Sequence, residues 1–406
     1  MLASVELSSE SISPVFRANA MARNDFPQTE YEARRRRLFE AMQAKGLAHY
    51  LIFHPTCIHW LTGAEAKSYQ AFQCLIADAS SARLSMFTRM AEQNEFADDA
   101  EIDDLYEWGS TAAPEPIAAF LALAAQRGFS HGQRVGMEVP AYYLHPHHYA
   151  RLRDAFAQPP EEHPDLVHNL RLARSSVETS YLREAGRIAD ASILAIRNML
   201  APGKTEREIA AVLYSTVLEA GGDPLPVSPN IVSGPRAAYS HGAPTSRRLE
   251  PGDSGNVEYC VPFHRYCVSL GRTFCLGRPK PLLQQLHDTV LRAADEAIAI
   301  IRDGVAVSKV ATAMRQVLVD AGMEKHQVHT IGYSVAPAFP PATGEILQIS
   351  SASNLILKAG MSLSISPNLF LRDERLGARI VDNVVVTEGG IEFLTHSPRE
   401  LMAIQV

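Results

Sequence analysis

The sequence has little cysteine, and no two cysteines stand in a CxxC pair. The five that occur are odd in number and scattered along the chain: Cys57, Cys74, Cys260, Cys267 and Cys275. Such a set forms neither a disulfide framework nor a zinc site of the usual spacing. The last three alternate with apolar residues, as small buried hydrophobic residues do. We therefore expect the protein in a reducing, cytoplasmic environment.

Long apolar runs and a strong excess of one charge are also missing. No stretch approaches the ~18 apolar residues of a membrane span, and residues 1–24 contain no apolar core of signal-peptide length. A net charge of −7 gives no general attraction for nucleic acid or anionic membranes. We expect neither as a partner, and residues 1–24 are predicted to form a flexible arm.

Composition and hydrophobic pattern predict two domains. A chain of 406 residues, 46% of them hydrophobic, can bury a large core. An α/β domain is predicted over residues 25–170, and a second domain over residues 171–406 opens with a helix at 178–200. In the first domain the pattern predicts helices at 31–46, 115–127 and 142–156, and strands at 49–53, 74–77, 84–87 and 134–138.

The second domain contains an internal repeat. Residues 203–221 align with residues 304–322, and residues 249–253 align with residues 357–361. Each half is predicted to be a capped helix followed by a loop, a glycine turn and a strand, and residues 205–208 form a capping box in the first half. The two halves therefore predict two half-sheets that face one interior.

Glu258 is the central candidate for a functional residue. The repeat places it opposite Ser366 and points both side chains into the interior. A carboxylate among apolar neighbours lies either on an outer face or in a site, and the repeat favours the site. His241, in a Gly/Pro-rich loop, belongs either to the surface or to the same site, and His329 belongs either to the core or to the site.

Residues 252–274 resemble the strand pair that marks the pita-bread family, which includes aminopeptidase P, prolidase, methionine aminopeptidase, creatinase and ectoine hydrolase. The positions that bind two metal ions in its metallopeptidases fall here on Glu258, Ser269, His329, Ser366 and Val381. Serine and valine offer no anionic oxygen to a divalent ion. The resemblance therefore implies a site without a metal and without a cofactor.

Across about residues 30–395, and most specifically across residues 226–379, the sequence looks like the ectoine hydrolase branch, which works without metal. Besides Glu258, the matching stretches are residues 60–63, 264–267, 270–279 and 332–341. This resemblance implies an α/β (α+β) fold, with a creatinase-like N-terminal domain followed by a pita-bread C-terminal domain that has a pseudo-two-fold repeat. It also implies a homodimer that acts on a small molecule.

The activity that the resemblance implies is a metal-independent hydrolase that opens a C–N bond in a small amidine or cyclic amide and not in a peptide. Glu258 attacks the substrate or activates water, His241 protonates the departing nitrogen, and His329 and Tyr333 hold the oxyanion. Arg379 binds a substrate carboxylate. The other substrate-binding residues are predicted to be Ser366, Tyr239 and Trp60.

Three other hypotheses stay open. The chain is a creatinase-like amidinohydrolase, or a ligand-binding protein that kept the shell of the fold and lost catalysis. The third is a peptidase, for which we expect no cleavage of Xaa-Pro peptides. Incubation with amidines, or with peptides and added metal, separates these hypotheses by the product that forms.

Overall fold

The computed structural model describes residues 25–65, 68, 70–110, 115–129, 132–156 and 158–406. The arm predicted for residues 1–24 lies outside the described residues. The chain divides into two units, Met1–Arg171 and Leu172–Val406. Both mix helices with a sheet, so the predicted α/β class is confirmed. None of the helices in the described ranges has the length and apolar character that crossing a bilayer requires.

The first unit is built around one sheet. Its strands are β1 (His49–Ile52), β2 (Cys74–Asp78), β3 (Arg83–Arg89), β4 (Asp104–Trp108), β5 (Val135–Met137) and β6 (Glu161–Glu162). Its helices are α1 (Gln28–Lys45), α2 (Pro55–Thr62), α3 (Gln93–Asp99), α4 (Pro116–Gln126), α5 (Pro146–Ala155) and α6 (Leu166–Leu170). The strand order is β4-β3-β2-β1-β5-β6, and two clusters of buried apolar residues fill the unit. β1 lies between β2 and β5 in this sheet, and all four of its residues are buried. Neither face of β1 therefore meets water, as is typical of a strand covered on both sides.

The second unit has four helices and eleven strands. The helices are α7 (Ser176–Met199), α8 (Glu206–Glu219), α9 (Pro281–Ile300) and α10 (Val307–Asp320). The strands are β7 (Asn230–Ser233), β8 (Ser254–Phe263), β9 (Tyr266–Leu276), β10 (Gly332–Phe339), β11 (Ala342–Gln348), β12 (Ser362–Ile365), β13 (Asn368–Leu371), β14 (Leu376–Arg379), β15 (Asp382–Val386), β16 (Ile391–Phe393) and β17 (Met402–Ile404). Nine strands form one sheet in the order β16-β15-β12-β10-β9-β8-β7, in which β11 pairs with β10 and β17 pairs with β9.

The internal repeat is visible in the backbone. The Gly203 N–H donates to the Leu249 carbonyl at 2.8 Å, and the Gly304 N–H donates to the Leu357 carbonyl at 2.9 Å. In each half the same leucine also donates its N–H to the carbonyl of the residue that follows the glycine, which is Lys204 in the first half and Val305 in the second. In the first half the capping box at residues 205–208 is formed, whereas in the second half α10 begins without a side-chain cap. The aligned segments therefore occupy equivalent places in the two halves.

A two-residue turn joins β8 to β9 and fixes their register. His264 and Arg265 have φ angles of 47° and 67°, and such left-handed residues allow a tight hairpin between twisted strands. The register places Glu258 opposite Gly271. A Cβ at Gly271 would lie 2.6 Å from the Val381 side chain. The missing side chain therefore lets the segment before β15 approach β9 closely.

Candidate functional site

Glu258 lies in the middle of β8, and its carboxylate is held from two sides. Asn230 of β7 is its partner in the strand register, and Asn230 Nδ2 donates a hydrogen bond of 2.8 Å to Glu258 Oε2. The Arg379 guanidinium, at the end of β14, donates to the same oxygen. Both of these hydrogen bonds end on Oε2, which leaves Oε1 to contact a ligand. The side chain is 17% exposed, so the site is open enough for a ligand to reach it.

Arg379 is the buried cation of the site. Its side chain is 5% exposed, and its second terminal nitrogen donates to the Ser240 carbonyl. Burial lowers the pKa of Arg379 to about 9. The guanidinium therefore still carries its charge at neutral pH and balances the charge of Glu258. Through Ser240 it also holds the loop that carries His241.

His241 and His329 meet edge to face, with ring centroids 4.8 Å apart and ring planes at 85°. His329 Nδ1 lies 3.2 Å from the Thr330 carbonyl, and a carbonyl only accepts, so Nδ1 carries a proton. Desolvation, together with the charges of His329 and Arg379, lowers the pKa of His241. His241 is therefore neutral at neutral pH and can pass a proton to or from a ligand.

Tyr333, on β10, supplies a hydroxyl group to the same space. Burial raises the pKa of Tyr333 to about 12, so the phenol keeps its proton at neutral pH and can donate a hydrogen bond. Ser269 is its neighbour across the site. The side-chain amide of Asn383 clamps the Ser269 backbone, with Oδ1 accepting from the Ser269 N–H at 3.2 Å and Nδ2 donating to its carbonyl. This wall of the site is therefore fixed by hydrogen bonds.

These side chains surround one cavity of about 490 Å³. Its lining residues are Val227, Ser228, Asn230, His241, Glu258, Tyr259, Cys260, Ser269, His329, Thr330, Tyr333, Pro341 and Gln348. Of the residues predicted from the sequence, Glu258, His241, His329 and Tyr333 are thus brought together. Arg379 joins them through its contact with the Glu258 carboxylate.

Three predicted substrate-binding residues lie elsewhere. Ser366 is 4% exposed, and its backbone N–H is bonded to the Ile331 carbonyl at 2.8 Å. Tyr239 is 51% exposed, and its ring lies under the Arg236 guanidinium. Trp60 is 1% exposed in the core of the first unit. None of the three is among the residues that line the cavity.

Sequence analysis missed Asn230, which holds both Glu258 and the histidine loop. Its Oδ1 accepts from the Gly242 N–H at 3.2 Å, next to His241, while its Nδ2 donates to Glu258. A polar residue that opens a short apolar strand is a weak signal. Asn230 lies beside Glu258 because β7 pairs with β8. The sequence alone did not predict that pairing.

Comparison with known proteins assigns both parts of the chain. Residues 180–388 match the model of metallopeptidase family M24, and residues 34–172 match the Creatinase/Prolidase N-terminal domain. A probable dipeptidase PepE from Mycobacterium bovis is 28% identical over 385 residues, which are 93% of this chain and 98% of that relative. An Xaa-Pro dipeptidase from Pyrococcus furiosus is 27% identical over 238 residues, 59% of this chain and 67% of that relative.

A solved structure gives the same result. Dipeptidase PepE from Mycobacterium ulcerans superposes with a TM-score of 0.81 at 26% identity, over 94% of this chain and 100% of that one. The predicted architecture, a creatinase-like first domain followed by a pita-bread second domain, is thereby confirmed.

The donor atoms around the cavity do not fit a two-metal centre. Among the described lining residues Glu258 is the one carboxylate, and Asn230 and Arg379 already hold its Oε2. The Val381 side chain is apolar and buried, and Ser366 does not line the cavity. A pair of divalent ions requires several anionic oxygen ligands. The described lining residues therefore do not supply the ligand set of such a centre.

The comparisons overturn the expected activity. The sequence predicted a metal-independent, ectoine-hydrolase-like enzyme for C–N bonds other than peptide bonds, but the relatives are named dipeptidases and the family is one of metallopeptidases. That prediction, with its amidine substrate, is wrong. The strand pair and the loops that suggested it are scaffold features, which shape a pocket without fixing the bond that is cleaved.

Proposed function

Because this chain belongs to metallopeptidase family M24, we propose that it hydrolyses the peptide bond of a short peptide, of dipeptide size, in the cavity around Glu258. The observation that carries the proposal is the convergence of Glu258, His241, His329 and Tyr333 on one cavity. These four groups come from β8, β10 and two separate loops, so only the folded unit assembles them.

The size of the cavity supports a small substrate. Its volume of about 490 Å³ falls within the ~300–1,000 Å³ of pockets that enclose small ligands. A dipeptide fits such a space, whereas a protein chain is enclosed only in part. The two PepE proteins, which are similar to this chain over nearly their whole length, are named dipeptidases.

Glu258 is the group that activates water in this proposal. Asn230 and Arg379 hold Oε2 and stabilise the carboxylate, which leaves Oε1 to take a proton from a water molecule as its oxygen adds to the peptide carbonyl carbon. The negative charge then develops on the carbonyl oxygen. The protonated Tyr333 hydroxyl is a suitable donor to that oxyanion.

The proton then has to reach the departing nitrogen. Neutral His241 accepts the proton that Glu258 took from water, and the imidazolium ring that forms donates a proton to the departing nitrogen as the C–N bond breaks. The His329 ring, 4.8 Å from His241, fixes the orientation of His241 through the edge-to-face contact. One water is consumed, one amine and one carboxylic acid leave, and each side chain returns to its starting protonation state.

The proposal is tested with a panel of dipeptides that includes Xaa-Pro and proline-free members. Free amino acids are measured by mass spectrometry, with the protein as purified and after incubation with Mn²⁺ or Zn²⁺. Release of amino acids in either arm supports the proposal. Saturable binding of a dipeptide without any product in both arms would contradict it, because the cavity would then bind and not hydrolyse.

Homodimer formation and a cytoplasmic location complete the proposal. Support for the location comes from the five cysteines, which are all reduced and buried in the structure. Support for the dimer comes only from the family resemblance. Light scattering of the purified chain tests the assembly, and a mass of one chain would contradict it.

A further inference from the structure

A second group of reactive side chains lies inside the first unit. Cys57 comes from α2, Glu138 directly follows β5, and His168 comes from α6. All three are buried, and their ligand atoms lie within 4.8 Å of one another. No short motif links these residues, since 111 positions separate Cys57 from His168. The fold alone therefore brings a thiol, a carboxylate and an imidazole together.

The distances within this group are close to those between two ligands of one ion. His168 Nε2 is 3.7 Å from Glu138 Oε1, which is beyond hydrogen-bond reach, and Cys57 Sγ is 3.8 Å from the same nitrogen. With the usual zinc–ligand lengths, a tetrahedral ion separates nitrogen from oxygen by about 3.4 Å and nitrogen from sulfur by about 3.6 Å. These two spacings are a few tenths of an ångström longer, and all three ligand atoms lie within 4.8 Å of one another.

Glu138 gives the second, independent observation. Its Oε2 accepts two backbone hydrogen bonds of 2.8 Å, from the N–H groups of Phe53 and His54, which fix the position of the carboxyl group. The side chain is completely buried, and Oε1 has no hydrogen-bond partner among the described residues. A buried anionic oxygen without a partner is costly. This oxygen points at the thiol and the imidazole, where a cation would compensate it.

We propose that Cys57, Glu138 and His168 bind one divalent transition-metal ion of the zinc class. A thiolate, an imidazole nitrogen and a carboxylate oxygen are the ligands that Zn²⁺ prefers, whereas Mg²⁺ and Ca²⁺ prefer oxygen alone. The His54 ring lies against the His168 ring at 5.1 Å and is a further nitrogen donor beside the group. The ion has a structural role in the first unit, because all its ligands are buried.

Arg171 sets the protonation of the site before the ion binds. Its Nη2 lies 2.6 Å from His168 Nδ1, and a guanidinium only donates, so the proton of the neutral His168 ring is on Nε2. Binding of an ion to Nε2 moves the ring proton to Nδ1, so Arg171 has to release Nδ1, and one proton, that of the Cys57 thiol, leaves. The guanidinium next to the ring stabilises the negative charge that the ligands then carry.

Titration with Co²⁺ tests the proposal, because a thiolate bound to Co²⁺ gives a charge-transfer absorption band. The full chain is freed of metal with a chelator and titrated. We expect one ion per chain with a thiolate band, and in Cys57→Ser the loss of the band and binding weaker by more than about 100-fold, since even losses beyond the direct ligands cost roughly 10- to 100-fold. Cys74→Ser, which alters another buried thiol of the same unit, should keep the band.

X-ray absorption of the zinc-loaded, unaltered chain keeps the proposal testable if Cys57→Ser fails to fold. One sulfur ligand at about 2.3 Å is expected. No thiolate band and no sulfur ligand in the unaltered chain would overturn the proposal, as would a band that persists in a folded Cys57→Ser. The variant Glu258→Gln should leave the band unchanged, and loss of the band there would place the ion in the cavity of the second unit instead.

Discussion

Arg379 and Glu258 form an ion pair in the second unit, although 121 positions separate them in the chain. The pair connects β14 to β8 and puts a fixed positive charge against the carboxylate that faces the cavity. The matching family is one of metallopeptidases. In this chain the cation that contacts the Glu258 carboxylate is the Arg379 guanidinium.

Removing the charge of Arg379 should destabilise the protein. In Arg379→Gln, the carboxylate loses its buried partner, and we expect the free energy of unfolding to fall by about 2–4 kcal/mol, as measured with urea. The double variant with Glu258→Gln should be more stable than the sum of the single losses by about 1–3 kcal/mol. Strict additivity would show that the two groups do not interact.

Asn230 should affect turnover more than binding. Its side chain orients Glu258 and also holds the loop of His241. Misplacement of reacting groups is costly, so Asn230→Ala should lower kcat by about 10- to 100-fold with little change in KM. The exposed Asn354→Ala is the control and should keep the kcat of the unaltered chain. A rise in KM alone would mean that Asn230 binds substrate directly.

Activity should decline on the acid side. His241 acts in its neutral form, and its pKa is lowered below 6.5 by desolvation and by neighbouring charges. The rate is therefore level near neutral pH and falls below pH 6.5, once the imidazole takes a proton. The unfolded chain binds that proton first, so this group reduces stability progressively below pH 6.5 and has no effect above it.

The pH profile of kcat/KM, measured over roughly pH 5 to 8, tests this account of His241. In His241→Asn the rate should be low and should lose the acid decline, whereas the exposed His147→Asn should retain both the rate and the decline. An unchanged acid decline in His241→Asn would assign it to another group.

Gly186 tests the packing of the second unit. A Cβ at this position in α7 would lie 1.8 Å from the Leu394 carbonyl oxygen. Gly186→Ala should therefore lower the free energy of unfolding by about 3 kcal/mol or more. Gly390→Ala, where a Cβ would meet no atom within 4 Å, should change it by less than about 1 kcal/mol. Similar values for both variants would contradict the tight contact.

The repeat made the second unit predictable. Its glycine turns and helix starts recur at equivalent positions, and period-two alternation along β8 aims Glu258 at the interior. The resemblance to the pita-bread family then pointed to His241 and His329. In contrast, Asn230 is positioned by strand pairing across the sheet, and the contact between Arg379 and Glu258 depends on how β14 folds back. Such long-range relationships leave no local pattern.

Two features of the first unit could not be derived from short motifs. Trp60 was assigned to the substrate from a short motif, but in the structure its ring is buried in the first unit. The group of Cys57, Glu138 and His168 combines three elements, so no CxxC-type rule could reveal it. The type of bond that is cleaved could not be predicted from the sequence either. The serine and valine residues at the family's metal-ligand positions describe the pocket and not the substrate.

The most direct test of the central claim is kcat/KM for a dipeptide with Glu258→Gln, measured beside Glu250→Gln. Glu250 is a surface carboxylate with a side chain that is 76% exposed, so its variant should match the unaltered chain. Glu258→Gln keeps the shape and the acceptor oxygen but cannot take a proton from water, and turnover should fall by at least about 100-fold with folding intact. Equal turnover in the two variants would contradict the role of Glu258.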